Sequence, residues 1–320
     1  MKKVYITRSM PKITEQLLSA AGFAVKTFEH DRVIDKQTLL CESVNADAVI
    51  SMLSDKVDND VIVAASSGRC KIFANYAVGY NNIDIVAARE HSIYVTNTPG
   101  VLTDATADLT WALLLDCARR VTEGDKLTRC GEFTGWAPLF MRGVQVTGKT
   151  LGLIGAGRIA TAVAKRACGF DMKILYYARE AKPDFEQATG ATRVDLPALL
   201  SQADFVSLHI PLTPDTRYLI GEREIALMKP TAVLLNTARG PVVDEQALVE
   251  ALRSNRIFAA GFDVYEHEPA LTPGLAELDN VVLAPHVGSA TFETRDAMAR
   301  LVVDNVISAL NGEVPQNLVW

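Results

Sequence analysis

The chain has 320 residues, of which 49% are hydrophobic and 22% are charged. This length exceeds the usual size of a single domain, so the sequence predicts a globular protein with two domains. The net charge is -6, and no block of lysine or arginine offers a surface for a phosphate backbone, which argues against nucleic acid as a partner.

The first residues contain no apolar run long enough for a signal peptide. The longest apolar run, residues 111–115, is far shorter than the roughly 20 residues that a membrane span needs. We therefore expect a cytoplasmic protein. The five cysteines are widely scattered, without the paired spacing of disulfide frameworks or zinc sites, so we expect reduced and mostly buried thiols and no metal.

Short β-branched runs alternate with amphipathic stretches between residues 3 and 96. This alternation predicts a parallel α/β sheet, because parallel strands are joined by helical crossovers. A helix predicted at residues 106–121 follows Pro99-Gly100 and a Thr/Asp cluster suited to capping. It is apolar enough to be buried and is expected to lead into the next domain. The predicted strands of this first series lie at residues 4–6, 48–50, 71–73 and 93–95.

A second alternating series begins at Thr150 and predicts a doubly wound sheet. A final helical pattern covers residues 291–310 and stops at Asn311-Gly312, which suits a helix C-cap. The six strands predicted in this series lie at residues 151–154, 173–177, 205–208, 232–235, 259–262 and 281–283.

A glycine-rich turn lies between the first strand of the second series and the helical stretch after it. Gly155 permits a tight turn, and Gly157 allows the backbone to approach a pyrophosphate at a helix N-terminus. Ala160 stands where a third glycine is common, and it is small enough for close packing. A match of this kind also fits a structural glycine turn, but the strand and helix on either side favour a dinucleotide site.

Three polar residues follow three separate strands of the second series: Arg239, Glu268 and His286. Ligands bind outside the carboxyl ends of the strands in an open α/β sheet. Arginine provides a bidentate charge for a carboxylate, histidine exchanges protons near neutral pH, and a carboxylate beside histidine favours its charged form. Taken singly, Arg239 also fits a surface arginine and Glu268 a loop carboxylate.

Two further polar residues close strands of the same sheet. Asp263 ends a buried strand and needs a partner there. His209 also closes a strand, and it is expected to be either a cofactor-side or a packing residue. His286 differs from the other histidines because Pro285 precedes it and Gly288-Ser289 follows shortly after, a context typical of an exposed turn at a cleft.

The glycine loop, residues 237–244, residues 261–264 with Glu268-Pro269, and residues 285–290 occur in one order along the chain. In this combination they resemble the D-2-hydroxyacid dehydrogenase family, and within it the branch of glyoxylate/hydroxypyruvate and 2-ketogluconate reductases. The resemblance covers essentially the whole chain.

The resemblance implies two doubly wound parallel-sheet domains. Residues 1–100 and 291–320 would form a flavodoxin-like substrate domain, and residues 101–290 a Rossmann dinucleotide-binding domain. It further implies a homodimer, in which an arm at residues 131–148 with Trp136 and Phe140 reaches the partner's site.

The residues expected to contact substrate on this basis are Val78 and Gly79, through their backbone N–H groups, with Arg239 and His286. From the residues alone, Gly79 appears only in a strand-to-helix turn near a helix start, where an anion could bind. The residues expected to contact the cofactor are Thr106, Gly155, Gly157, Arg158, Ile159, Arg179, His209, Pro211, Thr216, Thr237, Asp263 and Gly288.

The reaction expected from this resemblance is reduction of a small 2-oxo acid. Arg239 would hold the carboxylate and polarise the 2-oxo group, and His286 would donate the proton after hydride transfer from the nicotinamide. Glu268 would orient the imidazole, and Asp263 would anchor the nicotinamide side.

Two alternatives remain on the same fold. One is a dehydrogenase for another anion, such as formate or phosphite, although the formate branch carries glutamine where Glu268 stands. The other is a dinucleotide-sensing corepressor, a binding protein that retains the cleft, although nothing in the sequence suggests a peptide-binding extension.

The turn after the strand predicted at residues 173–177 departs from the sequence pattern typical of NAD-binding Rossmann domains. The acidic residue that would bond the ribose 2′-hydroxyl is missing, and Ala178-Arg179 occupies its place. Arg179 offers a guanidinium to a 2′-phosphate, with Lys182 close behind and Glu180 as the only nearby opposing charge. The sequence therefore predicts NADPH in preference to NADH, with NAD as the lesser alternative.

Overall fold

The computed structural model describes all 320 residues, and the chain forms two compact units. The first unit comprises Met1–Leu102 and Ser289–Trp320, and the second comprises Thr103–Gly288. None of the helices combines the length and the apolar character needed to cross a bilayer. Which unit holds the substrate and which unit holds the dinucleotide stays a prediction.

The first unit is built on a parallel sheet of five strands in the order β2-β1-β3-β4-β5. This is the flavodoxin-like order, and it confirms the predicted fold class of this unit. The strands are β1 (Lys3–Ile6), β2 (Ala24–Thr27), β3 (Ala48–Ser51), β4 (Ile72–Asn75) and β5 (Tyr94–Thr96), and the helices are α1 (Ile13–Ala20), α2 (Lys36–Asn45), α3 (Asn59–Ser67), α4 (Ile85–Glu90) and α12 (Phe292–Leu310).

Short polar side chains set the starts of these helices. Asp35, Asp58 and Asp84 cap α2, α3 and α4, because each carboxylate accepts a hydrogen bond from a backbone N–H in the first helical turn. Thr291 does the same for α12, which ends at Asn311 as predicted. The central strands β3 and β4 are buried on both faces, as expected of a sheet covered by helices.

The second unit is built on a parallel sheet of seven strands in the order β12-β11-β10-β9-β6-β7-β8. Counted from its own first strand this is 3-2-1-4-5-6 with one more strand at the end, which confirms the predicted Rossmann fold. The strands are β6 (Thr150–Ile154), β7 (Lys173–Tyr177), β8 (Thr192–Arg193), β9 (Phe205–Leu208), β10 (Val233–Asn236), β11 (Ala259–Phe262) and β12 (Val281–Leu283). The helices are α5 (Thr103–Arg119), α6 (Val121–Arg129), α7 (Arg158–Ala167), α8 (Pro183–Thr189), α9 (Leu196–Gln202), α10 (Glu222–Ile225) and α11 (Glu245–Arg253).

Helix α5 begins and ends earlier than predicted. It runs from Thr103 to Arg119 instead of covering residues 106–121, and it packs on α7, β10 and β11 of its own unit. Arg120 has a left-handed backbone with φ +56°, which ends this helix and separates it from α6. The Thr/Asp cluster that we expected to cap the helix therefore lies inside its first turn.

Two expectations about strands and cysteines were wrong. The predicted series omitted β2 and β8: β2 lies at the edge of its sheet without a fully buried residue, and β8 has only two residues, both exposed. The thiols are free, but only Cys70 and Cys117 are buried, because the other three lie on solvent-facing positions of helices or helix ends.

Candidate active site

The glycine loop of the second unit joins β6 to α7, at the position where the strand order reverses between β6 and β9. Gly155 has φ +106°, and a Cβ there would lie 2.4 Å from the carbonyl oxygen of His209. Its N–H donates to the Tyr177 carbonyl at 2.9 Å, which ties the loop to the end of β7. The fold itself therefore requires glycine at this position.

Gly157 has a different reason to be glycine. Its backbone (φ -87°, ψ -171°) is accessible to any residue, and a Cβ there would meet no atom within 4 Å. The open space lies before the first turn of α7, whose N–H groups have no side-chain cap. These N–H groups and the helix dipole fit a pyrophosphate that approaches the backbone closely.

The residues after Gly157 occupy positions that agree with a phosphate loop at a helix N-terminus. Arg158 is exposed in the first turn of α7, and Ile159 is partly buried against the hydrophobic core of the unit. Ala160 is fully buried in that core, as expected of the small residue in the third position. The loop therefore offers an exposed cation and backbone N–H groups without a side-chain cap.

The loop after β9 carries His209, Pro211 and Thr216. The N–H of His209 donates to the Ile154 carbonyl at 2.7 Å, and its Nε2 lies 2.9 Å from the Ser207 hydroxyl. Burial lowers the pKa of His209 to about 4, so this imidazole is neutral near pH 7. The Thr216 hydroxyl donates to the Pro211 carbonyl at 2.7 Å and closes the turn.

The turn after β7 is contacted by a second arginine, on β8, that the sequence interpretation missed. Arg179 is exposed there. The guanidinium of Arg193, on β8, donates through Nη2 to the carbonyl oxygens of Ala178 at 3.1 Å and Arg179 at 2.9 Å. Lys182 and Glu180 are also exposed, so the turn and the neighbouring Arg193 together present three basic side chains and one acidic side chain.

Arg239, Glu268 and His286 follow the neighbouring strands β10, β11 and β12, as predicted. His286 Nδ1 lies 2.8 Å from Glu268 Oε2, and the two side chains are 29% and 31% exposed. Glu268 Oε1 accepts the N–H of Tyr265 at 2.9 Å, so both carboxylate oxygens have a donor. His286 Nε2 has no hydrogen-bonding partner in the protein.

The electrostatics of this group follow from burial and proximity. Burial alone would raise the pKa of Glu268, but the hydrogen bond and charge of His286, with the Tyr265 N–H and Arg239, hold that pKa below its usual value. Burial lowers the pKa of Arg239, and the charge of Glu268 opposes this effect. Arg239 Nη1 donates to the Ala238 carbonyl at 2.6 Å, which leaves its Nε and Nη2 without a protein acceptor.

The loop that carries His286 is held on both sides. Asp263 accepts the N–H groups of Val287 at 2.7 Å and Gly288 at 2.8 Å, and the Tyr265 hydroxyl donates to the Ala284 carbonyl at 2.7 Å. His286 itself has φ +55°, a backbone conformation that costs a non-glycine residue about 1–3 kcal/mol and needs support from its surroundings. The hydrogen bonds to Asp263 and from the Tyr265 hydroxyl supply that support.

Four of the expected cofactor residues lie together beside this loop. Thr106 Oγ1 donates to the Gly288 carbonyl at 3.2 Å, and a Cβ on Gly288 would lie 3.1 Å from Asp263 Oδ2. The Thr237 hydroxyl lies 3.0 Å from that of Thr110, one turn further along α5. Because Asp263 already accepts two backbone N–H groups, the nicotinamide contact expected of it stays a prediction.

The expected substrate residues Val78 and Gly79 belong to the first unit, in the loop after β4. This loop does not end at a nearby helix start, since α4 begins only at Ile85. Asn97 Nδ2 donates to the Val78 carbonyl and Asn75 Nδ2 to the Gly79 carbonyl, both at 2.8 Å. The N–H groups of Val78 and Gly79 have no protein acceptor, so two free amides, and not a helix terminus, are available to an anion.

Comparison with known proteins relates this geometry to a family. Residues 111–288 match the family model described as "D-isomer specific 2-hydroxyacid dehydrogenase, NAD binding domain". A glyoxylate reductase of Thermococcus litoralis is 49% identical over 321 residues, covering 99% of this chain and 96% of that protein. The chain belongs to the D-2-hydroxyacid dehydrogenase family. It is therefore an oxidoreductase that uses a nicotinamide dinucleotide, as the resemblance implied.

Solved structures resemble this dehydrogenase over its full length. A Thermus thermophilus protein is 44% identical with a TM-score of 0.92, covering 99% of this chain and 100% of that chain. An NADPH-dependent glyoxylate/hydroxypyruvate reductase of Sinorhizobium meliloti is 29% identical with a TM-score of 0.86, covering 100% of this chain and 98% of that chain.

Several residues of the dehydrogenase's site carried no recognisable signal in the sequence. Arg193 lies on a strand too short to have a period, and Thr110 is one of several threonines in α5. Tyr265 and Glu245 hold the segment that carries Glu268. Glu245 gave no signal of this role in the sequence, because the helix dipole favours a glutamate in the first turn of a helix even when that residue is exposed to solvent.

Proposed function

We propose that this dehydrogenase reduces a small 2-oxo acid, namely glyoxylate, hydroxypyruvate or 2-ketogluconate, to the D-2-hydroxy acid, with NADPH as the preferred reductant. The observation that carries the proposal is the 2.8 Å contact between His286 Nδ1 and Glu268 Oε2, beside the partly buried cation of Arg239. This arrangement holds a proton donor and an anion-binding group at adjacent strand ends.

His286 acts as the general acid in reduction. Glu268 remains ionised near neutral pH because its pKa lies below the usual value, and it accepts a hydrogen bond from His286 Nδ1–H. The imidazolium therefore presents Nε2–H to the substrate oxygen and becomes neutral once that proton is transferred. When bound, the reduced nicotinamide supplies the hydride. In the reverse direction the neutral imidazole accepts the hydroxyl proton.

Arg239 binds the anionic substrate and stabilises the oxygen on which charge develops. Two of its guanidinium nitrogens have no protein acceptor, and its hydrogen bond to the Ala238 carbonyl fixes the third. Partial burial strengthens the attraction to a carboxylate, because less water screens the charge. For Val78 and Gly79, the two free N–H groups support the proposal that they bind the substrate carboxylate.

The preference for NADPH rests on the turn after β7. Arg179 is exposed at the strand end where a Rossmann fold places the adenosine ribose, and no carboxylate stands in the position that would repel a 2′-phosphate. Arg193 adds a second cation and occupies the carbonyl oxygens of the turn. The other proposed cofactor contacts follow the carboxyl ends of strands in the same sheet, namely the glycine loop, His209, Pro211, Thr216, Thr237, Asp263 and Gly288. Thr106 is on α5 and donates to the Gly288 carbonyl.

A homodimer is proposed on the basis of exposed aromatic side chains. Between α6 and β6, residues 131–148 contain no helix or strand. Trp136 is 85% exposed and Leu139 73% exposed, with Phe133 and Phe140 also at the surface. Several exposed apolar side chains within one short segment are typical of a protein interface. Light scattering on Trp136→Ala and on the unmodified protein tests this. The variant should dissociate into monomers at a higher protein concentration than the unmodified protein does, and a monomeric unmodified protein would contradict the proposal.

The reaction is tested by a panel of glyoxylate, hydroxypyruvate, 2-ketogluconate and pyruvate with NADPH and with NADH. We expect the largest kcat/KM with NADPH and one of the first three acids. Turnover of formate or phosphite with the oxidised cofactor, without reduction of any 2-oxo acid, would contradict the proposal. No turnover of any substrate would instead favour a dinucleotide-sensing binding protein.

A further inference from the structure

Glu245 is a fully buried carboxylate that the proposed reaction does not use. It stands in the first turn of α11 and is 0% exposed. Its Oε1 accepts the N–H of Glu266 at 2.7 Å, and its Oε2 accepts the Thr272 hydroxyl at 2.6 Å. Burial raises the pKa of Glu245, and these two hydrogen bonds oppose the effect. A buried carboxylate without a cation partner is costly, so its retention calls for a reason.

The two donors lie on either side of Glu268. Residues 266–271 contain no helix or strand and are mostly exposed, with one internal backbone hydrogen bond, from Ala270 N–H to the His267 carbonyl. Glu245 therefore fixes this segment from inside the protein at both of its ends. The carboxylate that orients His286 depends on an exposed segment with these two anchors.

Tyr265, the residue before the anchored N–H of Glu266, contacts the other two loops of the site. A Cβ on Gly240, the residue after Arg239, would lie 1.9 Å from the carbonyl carbon and oxygen of Tyr265, so the Arg239 loop packs directly on this peptide. The Tyr265 N–H donates to Glu268, and the Tyr265 hydroxyl donates to the Ala284 carbonyl, two residues before His286. Tyr265, whose carbonyl lies in the peptide held by Glu245, thus contacts the loops of Arg239, Glu268 and His286.

We infer that Glu245 is a positioning residue for catalysis, which holds the Tyr265–Glu266 peptide and so sets the geometry of Glu268 relative to His286 and Arg239. The inference rests on the proposed function. A carboxylate suits the task because it has two acceptor oxygens for two donors. Glutamine retains one acceptor for the Glu266 N–H, and its amide can donate to the Thr272 hydroxyl, which rotates to accept.

The first test compares four single variants by kcat and KM for glyoxylate and by the Kd of NADPH. Glu245→Ala should lower kcat about 10- to 100-fold, since small misplacements of catalytic groups have effects of this size, while KM and Kd change less than about threefold. Glu245→Gln should retain most of the unmodified kcat. Thr272→Val, which removes one of the two contacts, should lower kcat several-fold. Glu250→Ala, an exposed glutamate on the same helix, is the matched control and should change neither constant.

The second test repeats Glu245→Ala and Thr272→Val in a Glu268→Gln background. If Glu245 acts through Glu268, each substitution should then change kcat by less than about twofold, because the interaction that it supports is already lost. Full, multiplicative losses in that background, or an unchanged kcat in both Glu245→Ala and Thr272→Val, would overturn the inference. Should Glu245→Ala fail to fold, the loss of kcat in Thr272→Val, in both backgrounds, decides the question. A Glu268→Gln enzyme with normal kcat would instead refute the proposed function.

Discussion

Substitution of Glu268 by glutamine separates the charge of this side chain from its shape. In the native site, one carboxylate oxygen accepts the Tyr265 N–H at 2.9 Å and the other accepts His286 Nδ1–H at 2.8 Å. Glutamine has a single acceptor oxygen. If that oxygen faces Tyr265, the amide NH₂ faces the imidazole and favours its neutral form. If the amide is reversed, the Tyr265 N–H loses its acceptor.

The expected loss follows from the hydrogen bond that is removed. A hydrogen bond to a charged group contributes about 1.5–3 kcal/mol. With the two side chains 29% and 31% exposed, solvent screening favours the lower part of that range. At about 1.4 kcal/mol for each factor of ten, kcat for glyoxylate reduction should fall roughly 10- to 50-fold.

The assay is steady-state oxidation of NADPH by glyoxylate, with the Kd of NADPH measured separately by fluorescence. The Kd should remain unchanged because Glu268 orients a proton donor and does not bind the dinucleotide. Glu277→Gln, an exposed glutamate of the same unit, is the matched control. A kcat for Glu268→Gln within about twofold of the unmodified enzyme would refute the argument, since neither a loss of the charged imidazole nor a loss of the Tyr265 hydrogen bond would then have affected catalysis.

Four further outcomes are expected. His286→Ala should lower kcat for reduction at least about 100-fold with an unchanged Kd for NADPH, and a near-normal kcat would remove the imidazole from the mechanism. Arg239→Ala should both raise KM for glyoxylate and lower kcat, whereas unchanged constants would show that the guanidinium does not meet the substrate. Because the pKa of Glu268 is held below its usual value, its carboxylate stays ionised and keeps orienting His286 while pH falls through the ordinary glutamate range, so kcat for glyoxylate reduction should persist over that range and be lost only at lower pH; a kcat that already falls within that range would contradict this account. Arg179→Ala should reduce a preference for NADPH of roughly tenfold, about 1.4 kcal/mol, and Arg193→Ala should reduce it in the same sense; equal kcat/KM with NADH in the unmodified enzyme would contradict the cofactor preference.

The sequence predicted those parts of the fold where local pattern and environment agree. Strands buried on both faces, such as β9 and β10, consist mainly of apolar residues, which is the pattern expected of a strand covered by helices. Strand β2 was missed because it lies at a sheet edge and contains Lys26, so neither burial nor alternation marks it. Strand β8 is too short to have any period at all.

The site was predictable as a set of residue types but not as a set of contacts. The order of strands brings Arg239, Glu268 and His286 to one edge, and this follows from the doubly wound topology. The partners of Asp263 could not be found from sequence, because they are backbone N–H groups, which every residue except proline possesses. Glu245 was equally hidden, because its sequence position gives no sign of complete burial.

The two glycines of the phosphate loop would diverge if a descendant of this protein stopped using a dinucleotide. At position 155 a side chain would collide with the His209 carbonyl whether or not any ligand is present, so drift could not replace that glycine without remodelling the loop. At position 157 a side chain would meet only open space, so selection on ligand affinity alone would maintain that glycine. Loss of Gly157 with retention of Gly155 would therefore indicate a lineage that kept the fold after it stopped binding the dinucleotide.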